Sequence, residues 1–301
     1  MPDNWSSVIM RALFLAASLC LAGYSPECPV EEIGSYLYQP SYCMDCNFRG
    51  PAEPYVPQPG DIMLATDRNK VGNITHDLAL AFQPHGSAIV FARRDGSLAI
   101  IEAGPTDPMH RKPEEELTFL ERLARREGTN DTIFISTMDV LEHLSDYETK
   151  GPVWIRRRKT PLTEEESCRL TDFAEMQDGK RFALGKLGVQ LTPFRTRGPV
   201  RTYFVGKPNP NRKKYYCSEL VSEACVYAGL IDAADARPSA TYPHDLFVER
   251  SPNLFLRRRF HLDCDWFPPA RWTSCPEADT PDNQHCICPK RLIRNGRKAT
   301  D

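Results

Sequence analysis

Long apolar runs and an excess of charge of one sign are both missing from this chain of 301 residues. Its most apolar stretch, Ala12 to Ala22, is too short to cross a bilayer, which needs about 20 apolar residues. Lysine and arginine (38) nearly balance aspartate and glutamate (40), so nucleic acid is not an expected partner. Histidine is also scarce, and the 7 histidines show no metal-ligand spacing. We therefore predict no metal and no other cofactor.

The apolar stretch near the N-terminus has the length and composition of a secretory signal. It directly follows Met10 and Arg11, which form a better start for such a signal than Met1. We therefore predict a signal peptide over residues 1–24, a secreted or periplasmic protein, and no transmembrane span after cleavage. The alternative is a buried N-terminal helix of a cytosolic protein.

Eleven cysteines are compatible with an oxidising compartment. Most of them lie in two proline-containing flanks, residues 25–57 and 261–301, which we predict to be irregular extensions held by disulfides. Besides the candidate nucleophile, an odd number of cysteines remains, so at least one further thiol is expected to be free, and Cys168 or Cys225, which lie within helical patterns, are the candidates. A zinc site is the alternative for four of the flanking cysteines: Cys43, Cys46, Cys286 and Cys288.

Residues 58–260 are predicted to form one α+β domain, with an antiparallel sheet packed against helices. The strongest strand signal is a hairpin formed by residues 87–92 and 98–103 around Asp95-Gly96. The strongest helix signal is the capping box that begins at Thr163. The other predicted elements are strands near residues 62–64, 77–82, 132–136 and 153–155 and helices near 113–128 and 215–229.

The helix near residues 215–229 begins with a cysteine, Cys217. A helix N-terminus carries partial positive charge and lowers the pKa of a thiol, and the thiolate is the nucleophilic form. Cys217 is therefore the candidate nucleophile. The plainer interpretation is a small core residue, because buried cysteines are common.

His85 precedes a strand of small and apolar residues, and Glu102 lies on the neighbouring strand of the predicted hairpin. A histidine at a strand start can serve as a base, and a nearby carboxylate can fix its orientation. Asp61 and Asp77 are alternatives for the orienting residue. A surface histidine and an ordinary strand carboxylate are the plainer interpretations.

Four motifs together resemble the permuted papain-like amidases and cysteine peptidases of the YiiX/YaeF type. They are Gly60-Asp61-Ile62, His85 ahead of Ile89-Val-Phe, Ile101-Glu102-Ala103, and Tyr216-Cys217-Ser-Glu-Leu-Val. These proteins are related to NlpC-type cell-wall peptidases and LRAT-type acyltransferases. Their histidine precedes their cysteine along the chain, opposite to papain, and this order is present here.

The resemblance covers about Gln58 to Phe260 and implies a circularly permuted papain-like fold. It implies Cys217 as nucleophile, His85 as general base and acid, and Glu102 as the residue that orients the histidine. The two cysteine-rich extensions have no counterpart in that family.

The sequence thus predicts an exported cysteine hydrolase that cleaves amide or ester bonds through a thioester on Cys217. Cell-wall peptides or N-acyl lipid amides are the expected substrates, and no partner protein is indicated. A lipid acyltransferase and a catalytically silent binding module are the alternatives. Five side chains are candidates for lining the substrate groove, although solubility explains the arginines equally well: Tyr215, Tyr216, Arg195, Arg197 and Arg201.

Overall fold

The structure is a computed structural model that describes residues 33–38, 51–66, 83–105, 131–183, 201–248 and 251–274. The predicted signal peptide, the strand at 77–82 and the helix at 113–128 lie outside the described residues. So do Arg195, Arg197 and the cysteines of the proposed zinc site.

The described strands form one sheet of 10 strands in the order β2-β1-β10-β7-β3-β4-β5-β6-β8-β9. Neighbouring strands are antiparallel, apart from the parallel pair β8 and β9. The strands in chain order are β1 Tyr36–Tyr38, β2 Ala52–Pro54, β3 Ile62–Ala65, β4 Gly86–Ala92, β5 Leu98–Pro105, β6 Asp131–Ile135, β7 Val153–Arg156, β8 Arg181–Phe182, β9 Lys214–Tyr215 and β10 Ala270–Thr273.

Helices accompany this sheet, so the α+β class predicted from the sequence is confirmed. None of the described helices is long and apolar enough to cross a membrane. The α-helices are α1 Val140–Lys150, α2 Glu164–Gln177, α3 Arg201–Phe204, α4 Cys217–Ala228, α5 Pro243–Phe247 and α6 Leu254–Arg259, with a 3-10 turn at Pro238–Ala240.

The predicted hairpin is present as β4 and β5, which pair antiparallel. Its turn contains Gly96 with φ of 86°, a left-handed conformation that favours glycine. The Asp95 carboxylate accepts a hydrogen bond from the Ser97 backbone N–H at 2.9 Å, which stabilises the turn. Local turn chemistry therefore explains why this element was predictable.

Helices α2 and α4 were also predicted, and both have clear ends. Helix α2 begins at the capping box, where the Thr163 hydroxyl accepts from the Glu166 N–H and the Glu166 carboxylate accepts from the Thr163 N–H. Helix α4 ends at Gly229, which has φ of 82°. Helix α1 was missing from the prediction, although Asp139 caps its first turn by accepting from the Leu141 N–H at 2.8 Å.

The sheet extends beyond the predicted domain limits of 58–260 at both ends. Strands β1 and β2 come from the predicted N-terminal extension, and β10 comes from the predicted C-terminal one. Strand β10 pairs with β1 on one side and with β7 on the other. Described parts of both flanks therefore belong to the sheet, which corrects the expectation of irregular extensions. Strands of three or four residues give almost no periodic signal, and Pro54 obscured β2, an edge strand that tolerates proline.

Alternate residues of β4 and β5 point to opposite faces of the sheet. Ile89 and Ile101 pack with residues of α2 and α4 in one core cluster. Val90 and Ile100 pack with residues of α1 in another. We call these the α4 face and the α1 face. The predicted site residues are divided between them.

Candidate functional site

Cys217 is the first residue of helix α4, directly after the N-cap residue Tyr216. It is half-buried and packs against the cluster on the α4 face. Its thiol donates a hydrogen bond to the main-chain carbonyl of His85, with Sγ 3.5 Å from the oxygen. The fold therefore brings together two predicted residues that lie 132 positions apart in the chain.

The first turn of α4 is fixed by hydrogen bonds to the segment that follows the helix. Each neighbour of Cys217 in this turn contributes a side-chain contact. Such bonds hold the backbone around the thiol rigidly, as a reactive site requires. The contacts are Tyr216 Oη to Pro238 O (3.1 Å), Ser218 Oγ to Thr241 O (2.8 Å) and Ser239 Oγ to Glu219 Oε1 (2.6 Å).

His85 is positioned by hydrogen bonds at its own backbone N–H and at the segment that precedes it. Its own N–H donates to the Ala65 carbonyl at 3.1 Å, at the end of β3. Two residues earlier, the Gln83 carbonyl accepts from His244 Nδ1 at 2.7 Å. Because a carbonyl only accepts, Nδ1 of His244 carries the proton. His244, a buried residue of α5, thus anchors the segment that carries His85.

The pKa of the Cys217 thiol is raised above its usual value, mainly because the sulfur is buried and partly because of the negative charge of Glu102. Interactions with the Ser87 hydroxyl and with the N–H groups of Ser218 and Ser87 act in the opposite direction. This corrects the expectation that the helix start gives a low pKa. Desolvation outweighs the donors, so the resting group is a neutral thiol.

Glu102 lies on the α1 face, where it is paired across the strands with Ala88. Its Oε1 accepts a hydrogen bond from the Tyr147 hydroxyl at 2.5 Å, and its Oε2 lies 3.4 Å from His143 Nε2. Both partners belong to α1. The described contacts of this carboxylate are therefore with a different histidine, and its predicted role in orienting His85 stays a prediction.

Three residues near the site were not predicted: His143, Tyr147 and His244. The first two lie on α1, the helix that the sequence analysis omitted. Its apolar positions, the capping Asp139 and the closing Gly151 were signals that indicate a helix. Finding their contact with Glu102 required knowing that α1 packs on β5, which no local pattern contains.

Asp61, an alternative orienting residue, is bound elsewhere. Its carboxylate accepts from the Tyr55 hydroxyl at 2.8 Å, the Gln58 N–H at 3.1 Å and the Arg158 N–H at 2.7 Å. Its main chain pairs with Val90, four residues along β4 from Gly86, which follows His85. The Gly-Asp element is thus a structural turn. Asp77, the other alternative, lies outside the described residues.

The two tyrosines proposed to line a substrate groove are buried instead. The Tyr215 hydroxyl donates to the Pro210 carbonyl at 2.9 Å, and the Tyr216 hydroxyl donates to Pro238. That expectation was wrong, because a tyrosine can bury its ring and still satisfy its hydroxyl with a hydrogen bond. Arg201, in contrast, is exposed.

The cysteines of the described residues are all free thiols. Cys225 lies on α4 like Cys217 but is fully buried, and burial raises its pKa to about 12. Cys168 and Cys264 are exposed. Cys264 was expected to form a disulfide, and the other cysteines of its flank lie outside the described residues. These thiols provide internal references for the reactivity of Cys217.

Together these features define a mixed α+β protein that carries a half-buried thiol at a helix start beside a histidine backbone. No family model matches the chain, and no curated protein matches it. Among solved structures, the crystal structure of the metalloprotein YiiX from Escherichia coli O157:H7 matches at 16% identity with a TM-score of 0.33. The match covers 58% of this chain and 67% of that one.

YiiX gives its name to the type that the sequence motifs resemble, but a similarity this low carries no argument about fold or activity. The word metalloprotein describes YiiX. Within the ranges described for the present chain, no three or more His, Cys, Asp or Glu side chains are grouped so that they could hold a metal ion.

Proposed function

We propose that this protein is an exported cysteine hydrolase with a circularly permuted papain-like fold. It cleaves amide or ester bonds, with Cys217 as nucleophile and His85 as general base and acid. The observation that carries the proposal is the contact between the Cys217 thiol and the His85 carbonyl at 3.5 Å. Thiol hydrolysis needs a thiol and an imidazole side chain within reach of each other, and a thiol at a helix start that contacts the histidine's main chain supports that arrangement.

The neutral state of the thiol determines the order of events. As the Cys217 sulfur attacks the substrate carbonyl carbon, the thiol proton passes to the His85 imidazole, so no stable thiolate is required beforehand. A carbon–sulfur bond forms, the bond to the amine or alcohol breaks, and His85 returns the proton to the leaving group. Water then attacks the thioester, with His85 again as base, and releases the acid and the free thiol.

The developing oxyanion is stabilised by backbone N–H groups of the first turn of α4. The first N–H groups of a helix have no partner within the helix, and the helix dipole adds positive potential there. Such donors typically account for a factor of about 100 to 1,000 in rate. Peptide amides of a cell wall and N-acyl lipid amides are the proposed substrate classes, consistent with the predicted export.

A chromogenic ester tests the proposal without knowledge of the natural substrate. With p-nitrophenyl acetate, we expect a burst of p-nitrophenolate and an acetyl thioester on Cys217, found by mass spectrometry and removed by hydroxylamine. Cys217→Ser should reduce the burst by about 1,000-fold or more. The matched control is Cys225→Ser, which changes another thiol of the same helix and should keep the burst.

Two results would overturn this function. One is a burst that survives in Cys217→Ser, and the other is acetylation that favours the exposed Cys168 and Cys264 over Cys217. Transfer of the acetyl group to an added amine or alcohol in preference to water would favour the acyltransferase alternative.

A further inference from the structure

A buried polar cluster lies on the α1 face, around the carboxylate of Glu102. Tyr147 and His143 contact one carboxylate oxygen each. His143 is held in turn, because its Nδ1 lies 3.0 Å from the Ser136 hydroxyl. Glu102 is 5% exposed and His143 4%, so the cluster is closed to substrate. A role in the reaction must therefore be indirect.

Glu102 lies beside a glycine of its own strand. Its Oε1 is 3.5 Å from the position that a Cβ atom on Gly104 would occupy, which is an ordinary van der Waals distance. Gly86 is likewise without a side chain, two residues before Ala88, the cross-strand partner of Glu102. On the α4 face, the Cys217 thiol lies at the start of β4, next to the His85 carbonyl and Ser87. Ser87 precedes Ala88, the cross-strand partner of Glu102, so the thiol and the carboxylate approach neighbouring strand residues from opposite faces of the sheet.

The Tyr147 hydroxyl is a permanent donor to Glu102. Its pKa is raised well above the usual value, first by burial and then by the charge of Glu102, with further contributions from Cys217 and Asp146. A hydroxyl that keeps its proton holds the carboxylate in place throughout the accessible pH range.

We propose that Tyr147 is a positioning residue of the thiol site. Its hydroxyl holds the Glu102 carboxylate against Gly104, across the sheet from Cys217, where the charge of the carboxylate acts on the thiol. The inference rests on the proposed function in one respect only, the role assigned to the contact between Tyr147 and Glu102. That role is to keep the Cys217 thiol neutral until substrate arrives. The titratable groups that face Glu102 are Tyr147 and His143 from α1, with Asp146 behind Tyr147, and Cys217 from α4 lies on the opposite face of the sheet.

The test measures the rate at which iodoacetamide alkylates Cys217 as a function of pH, with the modified residue identified by mass spectrometry. Glu102→Gln removes the negative charge, so we expect the profile to move to lower pH and alkylation at neutral pH to be about 3 to 10 times faster. Tyr147→Phe frees the carboxylate to turn away and should move the profile in the same direction by a smaller amount.

A double variant separates positioning from a general structural effect. If Tyr147 acts through Glu102, Tyr147→Phe has no further effect in the Glu102→Gln background. Leu144→Ala, a buried change on the same helix, should leave the profile in place. The inference is overturned if Tyr147→Phe leaves the profile unchanged, or shifts it equally with and without Glu102.

Alkylation needs no substrate, so the two proposals can fail separately. A shifted alkylation profile without acylation by p-nitrophenyl acetate leaves the positioning role intact and removes the hydrolase. Normal acylation together with an unchanged alkylation profile in Tyr147→Phe and Glu102→Gln removes the positioning role and leaves the hydrolase intact.

Discussion

On the α4 face of strands β4 and β5 lies Cys217, a half-buried residue whose thiol is next to the backbone of His85. On the α1 face of the same two strands lies a carboxylate that is closed off by Tyr147. The strand alternation that separates core residues here also separates two polar groups. The comparison of the two faces shows that the described contacts of Glu102 are all on the α1 face. Its negative charge is the means by which it acts on Cys217 on the α4 face.

The largest expected effect on stability comes from emptying the core on either face. Leu220→Ala on the α4 face and Leu144→Ala on the α1 face each remove a fully buried side chain. Each should lower the free energy of unfolding by about 2–5 kcal/mol, measured by urea denaturation. Only Leu220→Ala, in the helix that begins at Cys217, should also slow acylation of the thiol. Equal loss of acylation in both variants would mean that the faces are not functionally distinct.

Asp61 gives a pH effect on stability that is independent of both faces. Burial raises its pKa to about 6, above its usual value in an unfolded chain. The folded state therefore binds the proton more tightly, and this contribution to stability is full below about pH 4 and is lost as pH rises through about 6.

The loss is about 2–3 kcal/mol, and Asp61→Asn should remove it from the pH dependence of the unfolding free energy. Urea denaturation of both proteins from acid to neutral pH checks this. The same slope in both would contradict the raised pKa. Acylation of Cys217 by p-nitrophenyl acetate should be unaffected by this variant.

The smallest expected effect comes from a change at His244, which acts on the position of His85 and not, like Glu102, on the charge near the thiol. His244→Ala removes the donor to the Gln83 carbonyl and loosens the segment before His85, so we expect acylation of Cys217 to slow by about tenfold. The pH profile of Cys217 alkylation should stay in place, because no charge next to the thiol changes.

His244→Asn is the matched control for this residue. Its amide nitrogen lies near the position of Nδ1 and can restore the donor, so most of the acylation rate should return. A shift of the alkylation profile in His244→Ala would contradict a purely positional role.

Local patterns were enough to predict the β4–β5 hairpin and helices α2 and α4. Each carries its own start or stop signal, such as the Asp95-Gly96 turn, the Thr163 capping box and the closing Gly229. The α+β class followed from these elements. The resemblance to the YiiX/YaeF type predicted that the side chains of His85 and Cys217 lie within reach of each other. The described contact joins the thiol to the main-chain carbonyl of His85, so the meeting of the two side chains stays a prediction.

The features that could not be predicted depend on contacts between residues far apart in the chain. Strand β10 pairs with β1 across more than two hundred residues, and each strand is too short for a periodic signal. The raised pKa of Cys217 depends on burial and on Glu102, neither of which is visible in a helix-start pattern. The contact of Glu102 with Tyr147 likewise needed the packing of α1 against the sheet.

The most direct test of the central claim is the rate of Cys217 acylation by p-nitrophenyl acetate in His85→Gln compared with the unchanged protein. Because the resting thiol is neutral, the reaction depends on a base. We therefore predict that acylation falls by about 100-fold or more while the unfolding free energy changes little. Acylation of Cys217 at the same rate without the His85 imidazole would contradict the claim that these two residues form one catalytic site.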